Sequence, residues 1–282
     1  MPSTYAHLYF GRRAERLLPE TMAQAVQENR QLYEIGLHGP DILFYYQPLK
    51  SNPISRTGFA MHEEPARAFF YPARDVCLSA AKPGAAWAYL AGFLCHYELD
   101  RACHGYIEKK LTVSDRRHTE IENEFDRYLL QREGLQISPA GLTAHIVPSG
   151  QNASVIAAFF PEVTAGQIER ALRSMKFYCN LLSGRTWRAP LVNAALRLCG
   201  RYDALHGNLM ARRPLPGCED SNLRLEKLMQ KALDRIPEQM AGYESFLRGG
   251  DFPEGFEATF GPGEGWEEIP VLTKEEEQSY EV

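Results

Sequence analysis

The stretch PGAAWAYLAGFLCHYELDRACHGYIEKK, residues 83–110, decides the fold. Pro83-Gly84 opens a long helix that continues to about Lys110, because Pro is tolerated in a first turn whose N–H has no helical partner anyway. Its apolar first half, Ala85 to Cys95, is too short to span a bilayer and leads straight into His96 and Asp100. His96, Asp100 and His104 are successive i, i+4 neighbours, so their side chains stack on one helix face. Imidazole, carboxylate, imidazole in a row suits zinc, and the central carboxylate is able to bridge two ions. Beyond a gap of thirteen residues, His118 and Glu122 repeat the spacing as H-x3-E on the next helix. Either motif alone reads as a solvent-facing ion pair. Together they are harder to leave in solvent: Leu94, Leu99, Ile121 and Phe125 flank them, and buried imidazoles and carboxylates are costly unless paired or metallated.

Outward from this core, helical periodicity dominates and no run alternates like a strand, so the expected class is all-α. One helix is expected from Thr4 to about Leu17 and a second from Pro19 to about Ile35. Asp41 is expected to cap the short apolar stretch Ile42–Tyr46. A helix should cover Glu63–Phe70. Ser114 should cap the next, which ends before Gly134. After a Gly/Pro/Ser-rich connection at 138–152, Thr164 opens a helix to Leu182, another lies near Pro190–Leu198, and Asp220 opens a last long one to Leu247. The expected organisation is a metal-binding helical core at 1–135, further helices at 136–248 packing on it in the same domain, and a Gly/Pro-rich acidic tail at 249–282.

The ordered series His7, Asp41, His62, His96, Asp100, His104, His118 and Glu122 resembles the trinuclear zinc ligands of the bacterial zinc-dependent phospholipases C, which share a superfamily with the P1/S1-type nucleases. The resemblance covers about residues 1–125, and the opening Pro-Ser-Thr-Tyr-x-His suggests a signal-less branch. It implies a multi-helix fold with the zinc site between helices, holding two to three Zn²⁺. One ion would use Asp41, His62, His96 and Asp100; a second His104, His118 and Glu122; a third His7 and the bridging Asp100. It also implies that Asp41 orients or deprotonates the attacking water.

The chain departs from the family pattern at three points. Secreted members chelate the third zinc with an N-terminal tryptophan, where this chain has Met1-Pro2. They separate the bridging Asp from the next His by a longer, proline-containing stretch, whereas Asp100 and His104 are one helical turn apart. The positions that carry head-group aromatics in choline-binding members correspond to Ile42 and Phe59 here, so half of a cage is missing.

Other residues carry weaker signals. His38, three residues before Asp41, reads equally as a partner for that site and as a loop-stabilising residue, and Glu63 beside His62 reads as solvent-facing before it reads as a partner for that ring. His145 and His206 fall outside the constellation and read as structural. The aromatic group Phe44, Tyr45, Tyr46, Phe69, Phe70 and Tyr71 reads as core before it reads as a pocket. The six cysteines, at 77, 95, 103, 179, 199 and 218, form no C-x-x-C pair and read as reduced core residues.

With 31 basic and 36 acidic residues the chain carries −5, which excludes a histone-like protein and an acidic disordered one. The charge is uneven. From Asp251 onward there are ten acids and one lysine, a balance of −9, so the remainder carries +4. The N-terminus lacks the basic flank and apolar core of a secretory signal, so a cytoplasmic protein is expected. No Gly-rich phosphate loop, G-x-S-x-G elbow or His-Asp dipeptide occurs, which argues against nucleotide-binding, α/β-hydrolase and HD-phosphohydrolase readings.

The expected activity is zinc-dependent hydrolysis of a phosphate ester, a phospholipid among the candidates, with no stable nucleic-acid partner. A P1/S1-like nuclease or nucleotidase is the first alternative, and a zinc-stabilised interaction protein without turnover is the second. An apolar approach surface beside the metals would favour lipid. Aromatic stacking platforms would favour nucleotides, and a coordination sphere closed by protein would favour the scaffold.

Overall fold

The helix that begins at Pro83 is the axis of the molecule. In the computed structural model, which describes residues 4–135, 139–182 and 213–282, it runs Pro83–Thr112, and every residue from Ala88 to Asp100 is buried. A helix enclosed on all sides must be covered by others. Along the chain these are α1 (Tyr5–Ala14), α2 (Glu20–Glu28), α3 (Arg30–Gly36), α4 (Pro53–Glu63), α5 (Arg67–Ser79), the axial α6, α7 (His118–Arg132), α8 (Pro139–Leu142), α9 (Gly150–Ala157), α10 (Ala165–Leu182), α11 (Glu219–Leu247) and α12 (Lys274–Ser279). No strand occurs among the described residues, and the class is all-α. Helices α1, α2, α3, α5 and α11 pack around α6, and one hydrophobic core joins residues from Tyr5 through Phe260.

The closest approach to the axis is made by glycine. A Cβ on Gly36 would sit 2.2 Å from the Tyr89 carbonyl, and one on Gly92 would sit 2.1 Å from the Tyr33 carbonyl. Only two glycines allow the end of α3 to rest directly on the α6 backbone. That contact delivers the loop after α3 to His96.

Several local expectations change in three dimensions. The helix expected from Pro19 to Ile35 divides into α2 and α3 at Asn29, which leaves helical geometry (φ −129°, ψ 41°) while its side chain binds the Ala25 carbonyl at 3.0 Å. The helix expected over Glu63–Phe70 is interrupted at Glu64–Ala66, with Glu63 ending α4 and Arg67–Phe70 opening α5. Glu64 is extended because it precedes Pro65, and the proline ring disfavours helical geometry in that residue.

Three expected caps serve elsewhere. Asp41 lies inside a 3-10 turn, Gly39–Tyr45, and faces His62. Ser114 donates to the Lys110 carbonyl at 2.7 Å, and α7 starts later, at His118. Asp220 sits in the first turn of α11 with its carboxylate 2.5 Å from Lys110 Nζ. By contrast Gly134, at φ +65°, ends α7 with its amide on the Gln131 carbonyl and that of Leu135 on Leu130, and the Thr164 hydroxyl accepts from the Gln167 amide at the start of α10. The expected helix near Pro190–Leu198, and Cys199 and His206, lie outside the described residues.

The Gly/Pro-rich stretch after α11 folds back over α5 and α6. Phe256 and Phe260 are fully buried, and the amides of Ala66 and Arg67 donate to the carbonyls of Ala258 and Phe256 at 3.0 and 2.7 Å. Farther along, Glu277 of α12 is buried and paired with Arg224 of α11 at 2.6 Å.

Candidate metal centre

Five segments bring the eight residues of the series to one place. His96, Asp100 and His104 come from successive turns of α6, His118 and Glu122 from α7, His7 from α1, Asp41 from the 3-10 turn and His62 from the end of α4. Asp100 is the hub. Its Oδ1 lies 3.3 Å from His7 Nε2 and 3.8 Å from His104 Nε2, and its Oδ2 lies 3.0 Å from His96 Nε2 and 3.8 Å from His62 Nε2. Asp41 Oδ1 is 3.1 Å from His62 Nε2, while Glu122 Oε1 is 3.2 Å from His118 Nε2 and 3.7 Å from His104 Nε2.

Three groups could each hold an ion: His7, His96 and Asp100; Asp41, His62 and His96; His104, His118 and Glu122. Tetrahedral zinc with bonds of about 2.0–2.1 Å puts its ligands about 3.4 Å apart, and the separations above scatter around that value.

The outer nitrogens explain why the inner ones converge. His96 Nδ1 faces the Leu37 carbonyl at 3.3 Å, His62 Nδ1 the Gly58 carbonyl at 2.8 Å, and His104 Nδ1 the Phe260 carbonyl at 2.7 Å. Each pairing puts the N–H on Nδ1 and leaves the Nε2 lone pair aimed inward, as a metal-ligating histidine requires. His96 Nε2 is buried and, although close to Asp100, is not aligned to hydrogen-bond it. An orphaned inward lone pair, imidazole–carboxylate donor sets and a cavity of about 30 Å³ touching His7, Asp100, His104 and Glu122 all fit zinc.

Gly39 makes room for His96. At φ +46° it is in the left-handed region, and a Cβ there would lie 2.2 Å from the imidazole ring.

Without metal the site is held by its own charges. Burial alone would raise the Asp100 carboxyl, yet its neighbours His96, His104 and His7 hold it well below the usual carboxylate range. Glu122 is likewise depressed by His118 and His104 against the effect of burial. Burial would lower His104, but Asp100 and Glu122 push it up to about 10, and His7 and His62 are raised by Asp100 and Asp41 respectively.

The remaining sequence candidates fall in different places. His38 is buried, and its side chain pairs with His145 through Nε2 atoms 2.7 Å apart, so its partner is that ring and not the Asp41 carboxylate. Burial keeps both neutral, His145 with its pKa lowered to about 3. His145, read from the sequence as structural, stacks on a residue of the loop that carries Asp41. Glu63 is exposed, and the His62 ring is oriented by Gly58 instead. Ile42 is 0% exposed and offers no surface to a substrate, whereas Phe59 is 58% exposed and stacks on Phe44, which stacks on His62.

Sequence reading missed Asp126. It follows Glu122 by one turn of α7, and its carboxylate accepts from the amides of Thr4, Tyr5 and Ala6 at 2.7–2.9 Å. Continuing the i, i+4 row from His118 and Glu122 was the available signal. For the Phe260 carbonyl there was none.

A family model described as zinc dependent phospholipase C matches residues 6–174, and the chain belongs to that family. The membership makes it zinc-dependent and a hydrolase by class. No curated protein and no solved structure matches the chain.

Proposed function

We propose that this protein is a phospholipase C-like phosphodiesterase whose eight-residue constellation holds two to three zinc ions. One observation carries the reading: His62, His96 and His104 each commit Nδ1 to a backbone carbonyl and turn Nε2 toward Asp41, Asp100 and Glu122. Asp41, His62, His96 and Asp100 would hold one ion, His104, His118 and Glu122 a second, and His7 with Asp100 a third. Bound zinc supplies Lewis acidity, lowering the pKa of a water and neutralising charge on the phosphoryl group.

The chain's own residues do the rest. Asp41, almost buried, orients the attacking water and accepts its proton. Asp100 keeps four imidazoles in register, and the hydrogen-bonded carbonyls prevent the rings from turning. A set of three protein ligands, as at His104, His118 and Glu122, leaves a coordination position for substrate, and His118 is 34% exposed on that side. Both points favour turnover over a closed scaffold site.

The lipid preference rests on a cavity of about 330 Å³ lined by Met61, Ala68, Phe69, Phe160, Val163 and Phe260 among others. Met61 adjoins His62, and the Phe260 ring lies 5.7 Å from the His62 ring, so an apolar chain could lie beside the ligands. The exposed face of Phe59 favours a second reading, a nuclease or nucleotidase, because it could stack a base.

The test is metal analysis combined with turnover of phospholipid, nucleic acid and bis-p-nitrophenyl phosphate by wild type and Asp100→Asn. Two or more zinc equivalents with phospholipid turnover, both reduced in the variant, are expected. Metal without turnover of any ester would favour the scaffold.

A further inference from the structure

The segment after α11 lies beyond residue 174, where the family match ends, yet it touches the metal centre at two ligands. The carbonyl of Phe260 accepts from His104 Nδ1 at 2.7 Å, and the amide of the next residue, Gly261, donates to the His62 carbonyl at 3.2 Å. Between them the Phe260 ring packs on both His62 and His96, at centroid distances of 5.7 and 6.0 Å, and forms one wall of the apolar cavity. We infer that residues 255–261 are a positioning strap that completes the metal centre, setting the ring of His104 and holding the backbone of His62 from outside the matched region. The inference rests on the zinc reading above.

The strap has its own anchors, separate from the ligands. Tyr97 Oη donates to the Gly255 carbonyl at 2.6 Å, and Arg101 Nη1 donates to the same oxygen at 3.1 Å. Both residues belong to α6 and alternate with the ligands on it: His96, Asp100 and His104 look into the site while Tyr97 and Arg101 hold the strap across it. Phe256 stacks on Tyr97 at 5.6 Å and locks the same stretch from below. Gly255, at φ +96°, makes the turn that brings its carbonyl to both donors. A helix that carries three of the ligands therefore also carries the anchors of the segment that orients them. The alternative, a passive cover, would need neither a hydrogen bond to a ligand's outer nitrogen nor a backbone bond to a second ligand.

The experiment uses the full chain with Tyr97→Phe and Arg101→Gln, singly and combined, which alter neither a ligand nor the strap sequence. Zinc number and affinity are read by chelator competition, Co²⁺-substituted spectra report ligand geometry, and melting of the metal-free proteins reports the fold. The combined variant should bind at least one zinc about 10–100-fold more weakly, the usual effect of losing an outer-sphere partner, with a changed Co²⁺ spectrum and little change in metal-free melting. Zinc number, affinity within twofold and spectrum all unchanged would overturn the strap while leaving the zinc reading intact. A wild type that binds fewer than two zinc ions would overturn both. If the combined variant does not fold, the single substitutions decide by the same measures.

Discussion

Asp126 binds the backbone amide of Ala6 at 2.7 Å, and its other oxygen accepts from Thr4 and Tyr5 at 2.9 Å. One carboxylate from α7 thus caps the first turn of α1, the turn that carries His7, and ties the two helices to the same centre. A long-range cap satisfies amides that would otherwise be orphaned and favours the helix dipole. Replacing Asp126 with Ala should destabilise the protein by about 2 kcal/mol or more, above the usual effect of losing a cap because three amides are stranded. It should also loosen the His7 ion selectively. Chemical denaturation and zinc titration check this; an Asp126→Ala protein with unchanged stability and zinc number would refute it.

Removal of metal should lower the melting temperature reversibly, because ions that bind only the folded state stabilise it by mass action. Free zinc at about a thousand times Kd contributes about 4 kcal/mol. Asp100→Asn removes the charge shared by four imidazoles and should reduce activity by more than about 100-fold. Scanning calorimetry with and without chelator, beside kinetics of the variant, measures both. Equal melting curves with and without chelator would contradict the coupling.

Zinc uptake at pH 7 should release protons. His104, held up to about 10 by Asp100 and Glu122, is protonated in the metal-free site, and His7 and His62 are raised in the same direction. Ligation needs these rings neutral, so apparent affinity rises with pH. Titration calorimetry in buffers of different ionisation enthalpy counts the protons. Binding without proton release would show that the imidazoles are neutral beforehand.

His145 carries the opposite sign. Its pKa falls from 6.5 to about 3 in the folded protein because it is buried, so an unfolded chain takes up its proton first. Its contribution is complete above pH 6.5 and is lost as pH falls toward 3, at up to about 1.4 kcal/mol per pH unit. Denaturation midpoints of wild type and His145→Phe, compared at pH 7.5 and pH 5, should converge on acidification. Parallel curves would remove His145 from the acid response.

The cavity and the exposed ring separate the two substrate readings. Ala68 is exposed at the cavity wall, so Ala68→Phe should fill it with a stability change within about 0.5 kcal/mol. Turnover of long-chain phospholipid should fall while that of bis-p-nitrophenyl phosphate holds. Phe59→Ala should raise KM for a nucleotide by about 5- to 150-fold, the equivalent of about 1–3 kcal/mol, only if a base stacks there. A lipid substrate indifferent to Ala68→Phe would count against the cavity.

The i, i+4 rows were legible because helix geometry makes them local: once α6 and α7 form, His96, Asp100 and His104, and His118 with Glu122, must share faces. The class and the axial helix followed from the same periodicity. Helix ends at Asn29 and Pro65, and the caps expected at Asp41, Ser114 and Asp220, were less legible. A polar side chain near a helix end can serve the end or a neighbour, and local sequence does not say which neighbour arrives.

By itself, then, the amino-acid sequence determined an all-α protein with two rows of candidate ligands, through contacts spanning three or four residues, while His7, Asp41 and His62 joined them only through the family resemblance. Tertiary structure alone decided what holds those ligands. Phe260 reaches His104 across 156 residues, Asp126 reaches Ala6 across 120 and His145 reaches His38 across 107. Such pairings carry no periodic signature, since they exist only after the helices have packed around α6 and buried polar groups have found the partners their desolvation demands.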